Sequence, residues 1–149
     1  MGTVGCELIA TYNAMLALGS PVPLGYIADY YDDHAMVLDG HWGTHPAAIP
    51  EYFKRQGYTV STLYNSDVYS YSEFDMLFDS STVVIMSYWN NPDSVAGALH
   101  TVMIVRTEDG KILVYNYWRD GDEPFSECTS IAEFIEKENI LPVMLTGIR

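Results

Sequence analysis

Along this chain the spacing of hydrophobic and polar positions changes once, near residue 58. Before that point apolar residues recur at helical intervals. Leu8, Ile9, Tyr12, Met15 and Leu16 form one such stripe and predict a helix from about Cys6 to Leu18, with those side chains on its packing face. Gly19, Pro21 and Pro23 end it. A second, shorter helix is expected in "PLGYIADYYDDHAM". A third starts near Ala48, with Pro50 in its first turn and Gly57 as its stop. After Tyr58 the pattern turns to alternation and β-branched runs. "TVSTLY", "TVVIMSYW", "LHTVMIVR", "KILVYNYW" and "LPVML" have strand length and composition. "SYSEFDMLF" reads as a short helix with Ser72 and Asp75 spaced as a capping box, and Ser130 with Glu133 caps a last helix in "SIAEFIEKEN". "GDEPFSECTS" has neither period and reads as loop, which leaves Cys128 incidental. Helices first and antiparallel strands afterwards predict an α+β fold. The expected organisation is one domain over 1–149, with a helical lobe to about residue 57 and a sheet lobe from about residue 58.

Length and charge narrow this further. A chain of 149 residues can bury roughly two-thirds of its unfolded surface in one core. Twenty acids against seven Lys and Arg give a net charge of −13. That field repels nucleic acid and anionic membranes and tolerates a cationic peptide. No apolar run approaches the ~18 residues of a membrane span, and no signal-peptide pattern is present. The expectation is a chain without a membrane span, compatible with a trimmed secreted or cell-surface bacterial protein. Two cysteines, Cys6 and Cys128, do not make a disulfide framework.

The candidate chemistry begins at Cys6. It follows Gly5 at a helix start, where unpaired N–H groups and the positive end of the dipole favour a thiolate. A nucleophilic thiol needs a base, and the base needs a third group to fix its tautomer. His100 opens one strand run, and Asn116 lies on the next, where its side chain could accept from the imidazole. Trp118 would share the sheet face of Asn116 and shield that hydrogen bond. Whether His100 and Asn116 can meet depends on the turn at Glu108-Asp109-Gly110. A two-residue Asp109-Gly110 turn sets His100 opposite Arg119 and sends Asn116 to the other face. A three-residue loop with Gly110 left-handed sets Val102 opposite Asn116 and His100 opposite Trp118. His100 and Asn116 are then diagonal neighbours ~7–8 Å apart. The site requires the three-residue loop.

Cys6, His100 and Asn116, in this order and on these elements, resemble the papain-like cysteine peptidases. Asn116-Tyr117-Trp118 is similar to the Asn-Ser-Trp of that superfamily. Within it, "HTVMIVRTEDGKILVYN" resembles the His-to-Asp stretch of bacterial double-glycine, or bacteriocin-leader, peptidases, with Asn116 where those usually carry Asp. "GTHPAAIPEYFKRQGYTV" is similar to the middle segment of their small relatives. The resemblance implies a helical lobe packed on an antiparallel sheet, a peptide or protein substrate and no cofactor. It also implies Cys6 as nucleophile, His100 as base and Asn116 as orienter. Two positions depart from the pattern. The family places a Gln shortly upstream of the Cys as an oxyanion donor, and none occurs from Met1 to Gly5. Either the chain is trimmed or the Cys6 N–H works with another donor, and losing one donor costs ~10²–10³ in rate. Glu7 directly follows Cys6, where its carboxylate opposes a thiolate.

Three other readings stand beside this one. Asp39, His41 and His45, with His34 nearby, could hold a metal, but their loop setting lacks the i, i+4 geometry of helical zinc motifs, and no metal is assigned. The tyrosines could line a peptide-binding surface without catalysis. An acyltransferase would use the same thioester with an amine in place of water. Asp120, beyond Trp118, is a less suited orienter than Asn116.

Overall fold

The computed structural model describes residues 5–35, 44–64, 71–90, 99–117 and 123–149. In these, a six-stranded sheet, antiparallel at every pairing, divides the helices into two layers. Helices α1 (Cys6–Ala17), α2 (Leu24–His34) and α3 (Ala48–Arg55) precede strand β1 (Val60–Tyr64). Helix α4 (Tyr71–Asp79) leads to β2 (Val83–Trp89), β3 (Leu99–Arg106), β4 (Ile112–Tyr115) and β5 (Phe125–Cys128). Helix α5 (Ile131–Glu138) and β6 (Leu141–Ile148) complete the chain. The strand order is β1-β6-β2-β3-β4-β5, so the last strand inserts between the first two.

Alternation along the strands builds two cores. Val83, Ile85, Met103, Met144 and Ile148 pack against Ala10, Ala14, Ile27, Ile49, Tyr52 and Phe53 of α1 to α3. Val84, Met86, Val102, Ile104 and Leu145 face Phe74, Phe78, Phe134 and Ile135 of α4 and α5 on the other side. Strand β2 is covered on both faces, which is why "VVIM" is apolar without interruption.

The helices and most strands lie where the pattern places them, and Gly19 and Gly57 take the expected positive φ. Ser130 caps α5 by accepting from the Glu133 N–H at 3.1 Å. Three local expectations are corrected. Helix α4 already starts at Tyr71, so Ser72 lies inside its first turn and does not cap it. "FSEC" is the edge strand β5, with Ser126 and Cys128 turned inward. Its alternation was hidden because the inward residues are small and only weakly apolar.

The third correction concerns α1. Its buried residues are Glu7, Ala10, Thr11, Ala14 and Met15, while Leu16 is 46% exposed and Leu8, Ile9 and Tyr12 are only half-buried. The stripe 7, 10, 11, 14 has helical spacing, and below Glu7 its side chains, Ala10, Thr11 and Ala14, are small. It lets the α1 backbone approach β3 and β2 closely. Of the expected face, Met15 is buried and Leu8 and Tyr12 pack against the core, while Leu16 lies outside it.

Candidate active site

The β3–β4 hairpin sets the geometry. Met103 pairs with Tyr115, Ile104 with Val114, Val105 with Leu113 and Arg106 with Ile112. Thr107 N–H donates to Lys111 O at 2.8 Å, and Gly110 sits at φ 84°. This is the three-residue loop that the site requires.

The ladder then ends at Tyr115. Asn116 has φ 66°, a left-handed conformation that Asn tolerates better than most residues. It thus lies beyond β4 and not on it, as the strand pattern had implied. Its side chain does not serve as the sequence suggested either. The Asn116 amide Nδ2 donates to Thr101 O at 3.0 Å and to Cys6 O at 3.3 Å, stapling the start of α1 to the start of β3. The His100 ring is met by the Asn116 backbone carbonyl, which accepts from Nε2. A carbonyl oxygen can only accept, so Nε2 carries the proton and Nδ1 keeps its lone pair. The tautomer is fixed, by the main chain of the expected residue. Trp118 lies outside the described residues, as do Asp39, His41 and Asp120.

Asn116 therefore touches both of the other candidate residues. Cys6 is half-buried at the first position of α1, after the exposed Gly5. Its sulfur lies 3.9 Å from Leu99 O and next to Thr101, the residues on either side of His100. His100 is 6% exposed, and its ring stands edge-on to Tyr88 with centroids 5.6 Å apart. Burial lowers the His100 pKa, partly offset by the bond to Asn116, so the resting imidazole is neutral.

Cys6 does not have the low pKa its helix position suggests. Burial first, and the Glu7 carboxylate second, push the thiol up to about 12, against a smaller lowering from Thr101. The S–H donates to Glu7 Oε2 at 3.1 Å. Glu7 itself is 2% exposed, and its pKa is raised by burial. A helix dipole contributes a fraction of a unit charge, whereas a carboxylate at contact distance contributes a full one. The carboxylate wins.

Glu7, which the sequence sets against a Cys6 thiolate, is in contact with the sulfur. Thr101 and Tyr88 are neighbours that the sequence did not bring to the site. For Tyr88 a signal lay in strand pairing, since Tyr88 opposes His100. Among the described residues, no group of three potential ligands could hold a metal. His45 accepts from its own loop at Ala47 N, and His34 stacks on Tyr30 beside Arg55.

No protein-family profile and no curated protein matches the chain. Solved structures do. The peptidase domain of Streptococcus ComA, a bifunctional ABC transporter involved in a quorum-sensing pathway, matches with a TM-score of 0.61 and 12% identity. That match covers 99% of this chain and 93% of that one. A double-glycine-motif protease from an AMS/PCAT transporter, solved in complex with the leader peptide, gives 0.60 and 11% identity. Its match covers 99% of this chain and 85% of that chain. At this identity the likeness is one of fold. The chain shares the α+β fold of these two peptidase structures, a helical layer packed on an antiparallel sheet as the sequence resemblance implied.

Proposed function

We propose that the protein is a cysteine peptidase that hydrolyses peptide bonds through Cys6, His100 and Asn116. One observation carries the reading. In a peptidase-domain fold, the start of α1 and the His100 ring are both held by Asn116, and the imidazole is left with Nδ1 as its basic nitrogen. With a thiol and a neutral imidazole at rest, His100 acts as a base on demand. It takes the Cys6 proton as sulfur attacks the substrate carbonyl, and a thioester forms. The imidazolium then gives that proton to the departing amine, and water attacks the thioester with His100 again as base. The Cys6 N–H, at the open first turn of α1, faces the developing oxyanion. The double-glycine-motif protease held a leader peptide, and a peptide is the substrate class proposed here.

The raised Cys6 thiol favours a second reading, a peptide-binding module that turns nothing over. An acyl-enzyme separates the two. A peptide-library digest followed by intact-mass measurement should show slow cleavage and a covalent adduct on Cys6, both lost in Cys6→Ala. Peptide binding with no adduct and no cleavage would leave the module. Adducts passed to added amines faster than to water would make the protein an acyltransferase.

A further inference from the structure

Helix α2 carries a face that the mechanism above leaves unused. Ile27 and Tyr31 bury its inner side, and Tyr26, Asp29, Tyr30 and Asp33, spaced i, i+3, i+4 and i+7, fall together on another. With Tyr52 and Arg55 of α3 they line an open cleft of about 390 Å³ between the two helices. The Tyr52 ring stands edge-on to Tyr30, with centroids 5.0 Å apart. Its side chain is 1% exposed, and its buried hydroxyl has no hydrogen-bond partner. That hydroxyl lies near those of Tyr26, Tyr58 and Tyr30, and two of these three line the cleft, so it points toward the cleft. A buried hydroxyl left unpaired costs stability, and a phenylalanine there would avoid the cost. The charges of the cleft are unpaired as well. Arg55 stands over the Tyr30 ring at 5.5 Å and donates to His34 Nε2 at 2.9 Å, which uses one of its five donors. In a chain with twenty acids, Arg55 forms no ion pair among the described residues, and neither do Asp29 and Asp33 on the facing helix. Opposite charges thus line one cleft without meeting.

We propose that the α2–α3 cleft binds a small zwitterion, an amino acid or a short peptide with both ends free. Its ammonium is held by Asp29 and Asp33, its carboxylate by the Arg55 guanidinium, and its body by Tyr26, with the Tyr52 hydroxyl as a further hydrogen-bond partner. Each group answers to one part of such a ligand. Two carboxylates one helical turn apart accept from an ammonium, and the free edge of a guanidinium matches a carboxylate with two parallel hydrogen bonds. Tyr26, 63% exposed, offers a ring face to the body. A plain cation would meet the charge of Arg55, and a plain anion that of the aspartates. Only a ligand carrying both charges gains on both sides. Being neutral overall, it is not turned away by the net charge of −13. Exposed side chains change rotamer rapidly, so Tyr26 and Arg55 give access to the Tyr52 hydroxyl without movement of a helix. Cys6, His100 and Asn116 do not line this cleft, and its occupation does not depend on the peptidase reading.

The test is an NMR titration of the full chain with L-phenylalanine and with glycyl-L-phenylalanine. The two probes share the zwitterion and differ in the separation of its charges, so the one that binds identifies the source. At millimolar concentration, the range of a small ligand in an open cleft, it should shift the backbone signals of α2 and α3. Phenylalanine methyl ester, which lacks the carboxylate, and N-acetylphenylalanine, which lacks the ammonium, should each bind about tenfold more weakly, the scale of one lost charge-assisted bond. Asp29→Asn and Arg55→Gln should weaken the zwitterion to the same degree. Tyr52→Phe should have two opposed effects, raising the Tm of the ligand-free chain by a few degrees while lowering the affinity. Cys6→Ala should bind as the wild type does. No shift with either zwitterion overturns the proposal. An ester or an N-acetyl form that binds as well as its parent does so too, by making the cleft a site for one charge only. Undiminished affinity in Tyr52→Phe overturns it as well. Shifts that centre on the start of α1 and vanish in Cys6→Ala would put the ligand at the peptidase site and overturn the cleft, while leaving the peptidase reading intact.

Discussion

Asn116 shows how the main chain and side chain of one residue can exchange the contacts its type suggests. Position and side-chain type mark it as the orienter of His100, yet its carbonyl accepts from the ring and its amide ties α1 to β3. Sequence carries side chains, and the left-handed turn that exchanges the two roles is invisible in a strand-like "VYNYW". The distinction can be measured. Asn116→Gly keeps the positive φ and the carbonyl but loses both staples. It should cost about 1–2 kcal/mol of stability, the scale of two neutral hydrogen bonds, and lower kcat more than KM. Asn116→Asp would serve as well as Asn if the side chain oriented the imidazole. As a staple it must fail, because a carboxylate then faces Cys6 O and Thr101 O. We expect Asp to be worse than Gly in both thermal denaturation and Cys6 alkylation.

Elements were more legible than their orientations. The turn length between β3 and β4 followed from requiring His100 and Asn116 to meet, and Gly110 supplies the left-handed residue it needs. The facing of α1 followed in part. Met15 is buried and Leu8 and Tyr12 pack against the core, but the positions wholly closed to solvent are Ala10, Thr11 and Ala14, small residues that let the helix come close to the sheet. Strand β5 was missed for a related reason, since Ser126 and Cys128 do not advertise an inward face. The close approach of α1 makes a prediction for the element as a whole. Ala14→Leu should overpack the contact with the sheet, cost about 1–3 kcal/mol in urea denaturation, and displace the Cys6 staple as well. Leu16→Ala, at a position 46% exposed, should change stability by less than about 1 kcal/mol. Equal losses from the two would restore the apolar-stripe reading of this helix.

At the scale of the molecule, two buried titratable groups pull stability in opposite directions with pH. Glu7 has a raised pKa from burial, so the folded chain holds its proton at pH values where the unfolded chain has released it. Its cost to folding therefore begins above the ordinary carboxyl range and grows as the pH rises toward the folded value. His100 has a lowered pKa, again chiefly from burial. Here the unfolded chain takes up the proton first, and the cost appears as the pH falls through the ordinary histidine range. Cys6, held as a thiol, adds a cost only above about pH 8.5, where an unfolded thiol ionises. Between pH 4 and 8 the two buried groups can thus be separated by substitution. Glu7→Gln keeps the side-chain shape and should raise Tm at pH 8, with the gain shrinking toward pH 4. His100→Gln should show the reverse trend, least stabilising at pH 8. For a chain of this length each kcal/mol moves Tm by about 2–4 °C, within reach of a calorimetric series. Parallel pH trends in the two variants would mean that one group is not buried as an uncompensated charge.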